Sequence, residues 1–202
     1  MKKAVILLSG GMDSAVTLFL ARKRGYKVYC LIFDYGQRHK KEIGFAKRLA
    51  KSDYFVLKIK LPWKNSALLD RKIKVPENRK SSGVPVTYVA ARNTVFISFA
   101  LSFAEAIGAK AIFIGANARD FSGYPDCRPL YFKKFNELVK KATRSRGIKI
   151  ETPLLYKTKK EIVSIGKKLG VPFELTWSCY KGDRKPCLRC DACRLRAKGF
   201  KL

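Results

Sequence analysis

Lys3-Ala4-Val5-Ile6-Leu7-Leu8-Ser9-Gly10-Gly11-Met12-Asp13-Ser14 is the stretch that settles the fold. Its first half is an unbroken aliphatic run without a polar face, the pattern of a strand buried on both sides in a parallel sheet. Its second half is turn chemistry, and helical spacing follows over residues 13–24. A strand that runs through a Gly-Gly turn into a helix opens a βαβ unit. The turn itself suits phosphate: glycines let the backbone approach an anion closely, serine hydroxyls add donors, and the helix start presents free N–H groups and the positive end of its dipole. It has neither the Gly-Lys-Ser/Thr ending of P-loop kinases and GTPases nor the G-x-G-x-x-G of dinucleotide folds.

Working outward, residues 27–33, 54–61, 111–115 and 148–153 read as further buried strands, and residues 40–52, 88–107, 129–146 and 159–169 have helical spacing. This alternation predicts an α/β fold: a doubly wound, mostly parallel, Rossmann-like sheet with its site at the carboxyl ends of the strands. Residues 63–85 carry prolines, Gly83 and mixed charges, and read as a long loop over the active face. From Thr176 onward periodicity is lost and cysteines take over. The expected organisation is a catalytic domain over 1–175 and a small metal-binding segment over 176–202. The apolar start is too short for a secretory signal, and the most apolar run, residues 95–104, is too short to span a bilayer. The expected compartment is therefore the cytoplasm, with no membrane partner.

Lys and Arg number 44 against 15 Asp and Glu, a net charge of +29. Such a field attracts anions, nucleotides and RNA alike, and does not choose between them. Cys179, Cys187, Cys190 and Cys193 lie close together, the last three spaced C-x2-C-x2-C. Four thiolates so placed can close a tetrahedral shell around zinc, which would then be structural. The rival is an iron–sulfur cluster, but the ferredoxin pattern needs a further cysteine where Ala197 stands. Cys30 sits inside a strand pattern and reads as a small buried hydrophobe. Cys127 stands in a polar run and suits packing or substrate contact. His39 is the only histidine, and no partner pattern makes a triad with it.

S-G-G-x-D-S after a first strand resembles the loop of the PP-loop ATP pyrophosphatases. Several segments narrow the resemblance to the 7-cyano-7-deazaguanine synthase family: Asp34-Tyr35-Gly36-Gln37-Arg38-His39, Arg92-Asn93, Gly115-Ala116-Asn117, Asp120, Ser122-Gly123-Tyr124-Pro125-Asp126-Cys127-Arg128-Pro129, Thr158-Lys159, Glu161, Thr176-Trp177-Ser178-Cys179-Tyr180 and Leu195-Arg196. The family usually has glycine at the position of Leu188. The resemblance implies an ATP-dependent carbon–nitrogen ligase that turns 7-carboxy-7-deazaguanine and ammonia into the nitrile, on the route to queuosine or archaeosine of tRNA. It implies a homodimer, and it makes direct tRNA binding unexpected. ATP would lie against Leu8, Ser9, Gly10, Gly11, Met12, Asp13, Ser14, Ala15, Val16, Thr17, Leu18 and Asp34. Asp13 would organise the phosphates and Mg2+, and Lys159 and Arg92 would stabilise developing charge. For the deazapurine, Asp120 or Asp126 could accept from its N–H edge, Tyr124 could stack on its ring and Arg128 could pair with its carboxylate.

Two other readings stay open on the residues. One is a PP-loop enzyme acting on tRNA directly, a sulfurtransferase or a lysidine-type ligase, which the charge favours. The other is a non-catalytic zinc protein that binds RNA through its basic tail, which leaves the phosphate loop unexplained.

Overall fold

The computed structural model describes residues 1–79, 83–118, 123–144 and 147–201. Five strands, β1 (Lys3–Leu7), β2 (Lys27–Asp34), β3 (Tyr54–Lys58), β4 (Ala111–Ile114) and β5 (Lys149–Glu151), form one sheet in the order β3-β2-β1-β4-β5. Every pairing is parallel. The helices are α1 (Met12–Lys23), α2 (Lys41–Ala50), α3 (Arg92–Ala106), α4 (Pro129–Ala142), α5 (Lys159–Lys168) and α6 (Asp191–Phe200).

β1 is the middle strand, so its alternating side chains feed two cores. Ala4 and Ile6 pack with α1, α2 and α5 on one face, through Val16, Leu18, Leu49 and Ile162. Val5 and Leu7 pack with α3 and α4 on the other, through Ile97, Ala100, Phe132 and Val139. The chain runs outward from β1 to β3, then crosses back through α3 to β4 on the far side of β1. That reversal opens a crevice at the carboxyl ends of β1 and β4, where doubly wound sheets bind ligands.

The strands and helices fall where the sequence placed them, with shorter ends. β3 stops at Lys58, α3 begins only at Arg92, and α4 ends at Ala142, short of the helix expected over 129–146, whose last two positions lie outside the described residues. Two expectations need correcting. The tail is not aperiodic: α6 is a regular helix of 10 residues, capped at its start by Cys190. Its pattern is hidden because Cys193 and Gly199 fill the positions that pack inward. The 63–85 loop, meanwhile, docks on the cysteine segment: Ala67 and Val75 are buried beside Trp177, Cys179 and Cys190. Glu77 bridges to Cys190, and Asn78 N–H donates to the Arg189 carbonyl at 3.1 Å.

No helix among the described residues is long and apolar enough to cross a membrane.

Candidate active site

A cavity of about 290 Å³ fills the crevice. Its floor is the loop Ser9–Ser14 with the ends of β1, β2 and β4, and its walls come from α2, α3, α5 and the cysteine segment. The loop is held open by its own hydroxyls: Ser9 Oγ and Ser14 Oγ lie 3.1 Å apart, Gly11 N–H donates to Ser9 Oγ, and Ser14 Oγ donates to the Gly11 carbonyl. Gly11 caps α1 without a side-chain acceptor, which leaves first-turn N–H groups for an anion. Two glycines shape this floor. Gly10 has φ +83°, and a Cβ on it would stand 2.3 Å from the Glu42 carbonyl oxygen. A Cβ on Gly115, just past β4, would stand 2.8 Å from Ser14 N.

Asp13 and Lys159 meet across the loop, Nζ to Oδ2 at 2.5 Å. The lysine is buried at the first position of α5, where the Asp13 carboxylate offsets the cost of taking its charge out of water. α5 is placed by a capping box: Thr158 Oγ1 accepts from Glu161 N–H while the Glu161 carboxylate accepts from Thr158 N–H. Those bonds and the nearby Lys157 hold the Glu161 carboxyl down to about 2. Asp13 Oδ1 is buried and has no hydrogen-bond partner, an oxygen ligand still available to a hard cation.

The opposite wall is aromatic. Arg92 Nη1 donates to Tyr35 Oη at 2.9 Å, and the guanidinium lies 5.5 Å from the Tyr35 ring centroid and 5.9 Å from that of Phe96. Burial pushes the Tyr35 phenol up to about 12, although the Arg92 charge pulls it down. Among the described residues no carboxylate pairs with Arg92. Tyr124 and Tyr180 also line the cavity, and Tyr124 Oη is 3.0 Å from Thr87 Oγ1. His39 and Glu42 close the α2 side, His39 Nε2 standing 3.4 Å from Glu42 Oε1.

Of the residues the sequence nominated, Leu8, Ser9, Gly11, Met12, Asp13, Ser14, Arg92, Tyr124 and Lys159 line this cavity. Others do not. Ala15, Val16 and Leu18 are sealed in the core under the loop, and Thr17 Oγ1 donates back to the Asp13 carbonyl, so these residues seat α1. Asp34 turns to Lys40 at 3.0 Å and to Gly36 N–H. Asp126 is buried against the start of α3, where its Oδ2 accepts Asn93 N–H at 2.9 Å; it caps a helix whose own N-cap, Ala91, offers no side-chain acceptor. Arg128 is exposed at the head of α4 and forms no ion pair with Asp126. Asp120 lies outside the described residues. None of the described residues of 63–85 lines the cavity. Cys127 does, with Asn93 Nδ2 donating to its sulfur at 3.3 Å; Cys30 is buried in the sheet, and burial pushes its thiol up to about 12.

Sequence reasoning assigned no role to Trp177, Ser178, Ala192, Leu195 and Arg196, yet they form one wall. They stand there because the cysteine segment folds over the loop: Trp177 N–H donates to the Gly10 carbonyl at 2.9 Å. The only signal available, for all but Ala192, was their place in the segments that carry the family resemblance.

Beside that wall the Sγ atoms of Cys179, Cys187, Cys190 and Cys193 all lie within 4.8 Å of one another. A tetrahedral ion with metal–sulfur bonds of about 2.3 Å needs sulfurs about 3.8 Å apart, so the four fit a metal ion after a small contraction. Backbone N–H groups of Cys187 and Cys190 point at Cys179 Sγ and Cys187 Sγ, which steadies thiolates. Leu188 keeps the left-handed turn its position requires, φ +61°, with its side chain in solvent.

Solved structures with this fold include an NMN synthetase from Francisella tularensis, TM-score 0.52 at 20% identity over 89% of this chain and 66% of that one. Another is a 4-thiouridine synthetase in an RNA complex with bound ATP, TM-score 0.50 at 21% identity over 98% and 53%. Sequence relatives are far nearer. The 7-cyano-7-deazaguanine synthase of Picrophilus torridus is 53% identical over 99% of this chain and 87% of its own length. That of Clostridium kluyveri is 49% identical over 100% and 94%. Residues 3–202 match the family described as queuosine biosynthesis protein QueC, and the chain belongs to that family.

Proposed function

We propose that the chain is an ATP-dependent carbon–nitrogen ligase that converts 7-carboxy-7-deazaguanine and ammonia to 7-cyano-7-deazaguanine, for queuosine or archaeosine. The observation that carries this reading is one cavity holding both the Ser9–Ser14 loop with the Asp13–Lys159 pair and an aromatic wall whose arginine forms no ion pair among the described residues. A carboxylate is a poor electrophile, so one oxygen must first become a leaving group. ATP supplies the activating adenylyl group. Attack of the substrate carboxylate on the α-phosphorus releases pyrophosphate, ammonia then displaces AMP to give the amide, and a second activation of the amide oxygen lets the nitrile form.

The chain contributes positioning and electrostatics. The Ser9–Ser14 loop and the start of α1 hold the phosphates. Asp13 Oδ1 is the oxygen that would hold the Mg2+ accompanying ATP, and Lys159 faces the charge that builds on the oxygens in transfer. Arg92, which forms no ion pair with a carboxylate among the described residues, would pair with the substrate carboxylate, while Tyr35, Tyr124 and Phe96 offer flat faces to the deazapurine. The four-cysteine site would hold one structural zinc and, with the rest of residues 176–202, fold as a segment against the catalytic domain of residues 1–175. A homodimer belongs to the proposal, and the exposed rings of Tyr54, Phe55 and Phe99 on β3 and α3 offer an apolar face for it.

The test is to combine the protein with ATP, Mg2+, ammonium and 7-carboxy-7-deazaguanine and to follow the deazapurine by mass spectrometry. The nitrile is expected. Folded protein that binds ATP and leaves the acid unchanged would sink the proposal.

A further inference from the structure

We infer that Arg196, carried by the cysteine segment, is a phosphate-binding residue of the active cavity and holds a phosphate of the nucleotide seated on the Ser9–Ser14 loop. This rests on the ATP-dependent reading above. α6 starts at the metal site, with Cys190 as its cap and Cys193 in its first turn. Arg196 follows Cys193 by three residues, so the two share a helix face. The position of the arginine is thereby set by the cysteine cluster.

Its guanidinium is half-buried and finds only neutral acceptors: Thr176 Oγ1 at 2.6 Å, Ser178 Oγ at 3.4 Å and the Phe173 carbonyl at 2.8 Å. The Phe200 ring backs it, 5.3 Å from centroid to Cζ. Among the described residues no carboxylate pairs with it, and Cys193, whose thiolate the metal would share, offsets only part of its charge. A cation withdrawn from water without an acid is costly unless an anion joins it, and a guanidinium fork matches phosphate.

Which anion is decided by what holds the fork. Thr176 and Ser178 flank Trp177, whose N–H is bonded to the Gly10 carbonyl of the phosphate loop. The arginine is thus tethered to the loop on both sides of that link and lines the same cavity. Arg92 stands instead with the aromatic wall and Tyr35. On this assignment the two arginines divide the cavity into a phosphate end and a deazapurine end.

The test is calorimetric binding of a non-hydrolysable ATP analogue and of inorganic pyrophosphate, each with Mg2+, to wild type and to Arg196→Gln, alongside the KM for the deazapurine acid. We expect Arg196→Gln to weaken both phosphate ligands about tenfold or more, with the deazapurine KM within about twofold of wild type. A merely structural arginine would change thermal stability and metal content and leave this split unseen. A folded Arg196→Gln that binds both ligands as wild type does overturns the assignment alone, whereas wild type that binds neither overturns the ATP reading with it. Should Arg196→Gln not fold, butanedione modification of wild type, mapped by mass spectrometry, decides: pyrophosphate must protect Arg196, and unprotected modification refutes the assignment.

Discussion

Replacing Gly115 by alanine puts one methyl group where the end of β4 meets the phosphate loop. The added Cβ would stand 2.8 Å from Ser14 N, 2.9 Å from Asp13 C and 3.0 Å from Asp13 O, all backbone atoms that cannot swing aside. Ordinary contact begins near 3.4 Å, so the strand end or the loop must move by roughly 0.6 Å. Overpacking of this kind costs about 1–3 kcal/mol, which for a chain of this length lowers Tm by roughly 2–12 °C. The functional loss should be larger than the stability loss suggests. The atoms displaced are those that set Asp13 and the first-turn N–H groups, and a misplacement near 1 Å can cost about a hundredfold in rate, so a drop of roughly ten- to a hundredfold in kcat/KM for ATP is expected. The assay is nitrile formation at varied ATP, with Tm by calorimetry. Gly44→Ala is the control: Gly44 lies in α2, a Cβ there meets nothing within 4 Å, and the change should stabilise by up to about 1 kcal/mol without touching turnover. Wild-type Tm and KM for ATP in Gly115→Ala would refute the reasoning, because the contact would then not govern the loop.

Asp13→Asn should abolish measurable nitrile formation and lower Tm modestly, since the ion pair with Lys159 is lost while little volume changes; near-normal turnover would take Asp13 out of the site. Elemental analysis should find about one zinc per chain, and Cys190→Ser should lose the metal and its soluble expression; stoichiometric iron with visible absorbance would contradict this. Leu188→Gly should raise Tm, relieving a left-handed residue by about 0.5–1 kcal/mol after glycine's own entropy is counted, and Leu188→Val should lower it; the reverse order would show the turn to be unstrained. Burial pushes the Asp126 carboxyl above the usual carboxylate range, against the pull of Asn93 N–H and Arg92. With the folded pKa raised, its favourable contribution is present below the unfolded value and is lost as pH rises through the folded one. Asp126→Asn should therefore flatten the fall of Tm that sets in as pH rises above the unfolded carboxylate value of about 4, and an unaltered profile would count against it.

The sheet and the loop at the end of its first strand were legible because both are written locally. The run from Lys3 to Leu8 has no polar face, which demands a strand covered on both sides, and the Ser-Gly-Gly turn with Asp13 marks the strand-to-helix loop at its end. The cysteine spacing likewise announces a metal-sized cluster before any fold is known. Contacts between distant segments could not be read that way. Asp126 looks like a ligand for a base edge and is in fact the cap that α3 lacks, a pairing across 33 residues. Thr17 and Leu18 belong to the phosphate-loop region by position yet face the core, because a helix turns its side chains away from the loop within one turn. Arg196 lies in a short basic tail whose periodicity is masked by cysteines, and nothing local distinguishes it from the other cations of a chain with 44. Only the fold of residues 176–200 over Gly10 brings that guanidinium to the cavity. Strand and loop identity follow from the covalent neighbourhood of each residue, whereas the walls of the cavity follow from which buried faces must cover one another, and that is decided by the whole chain at once.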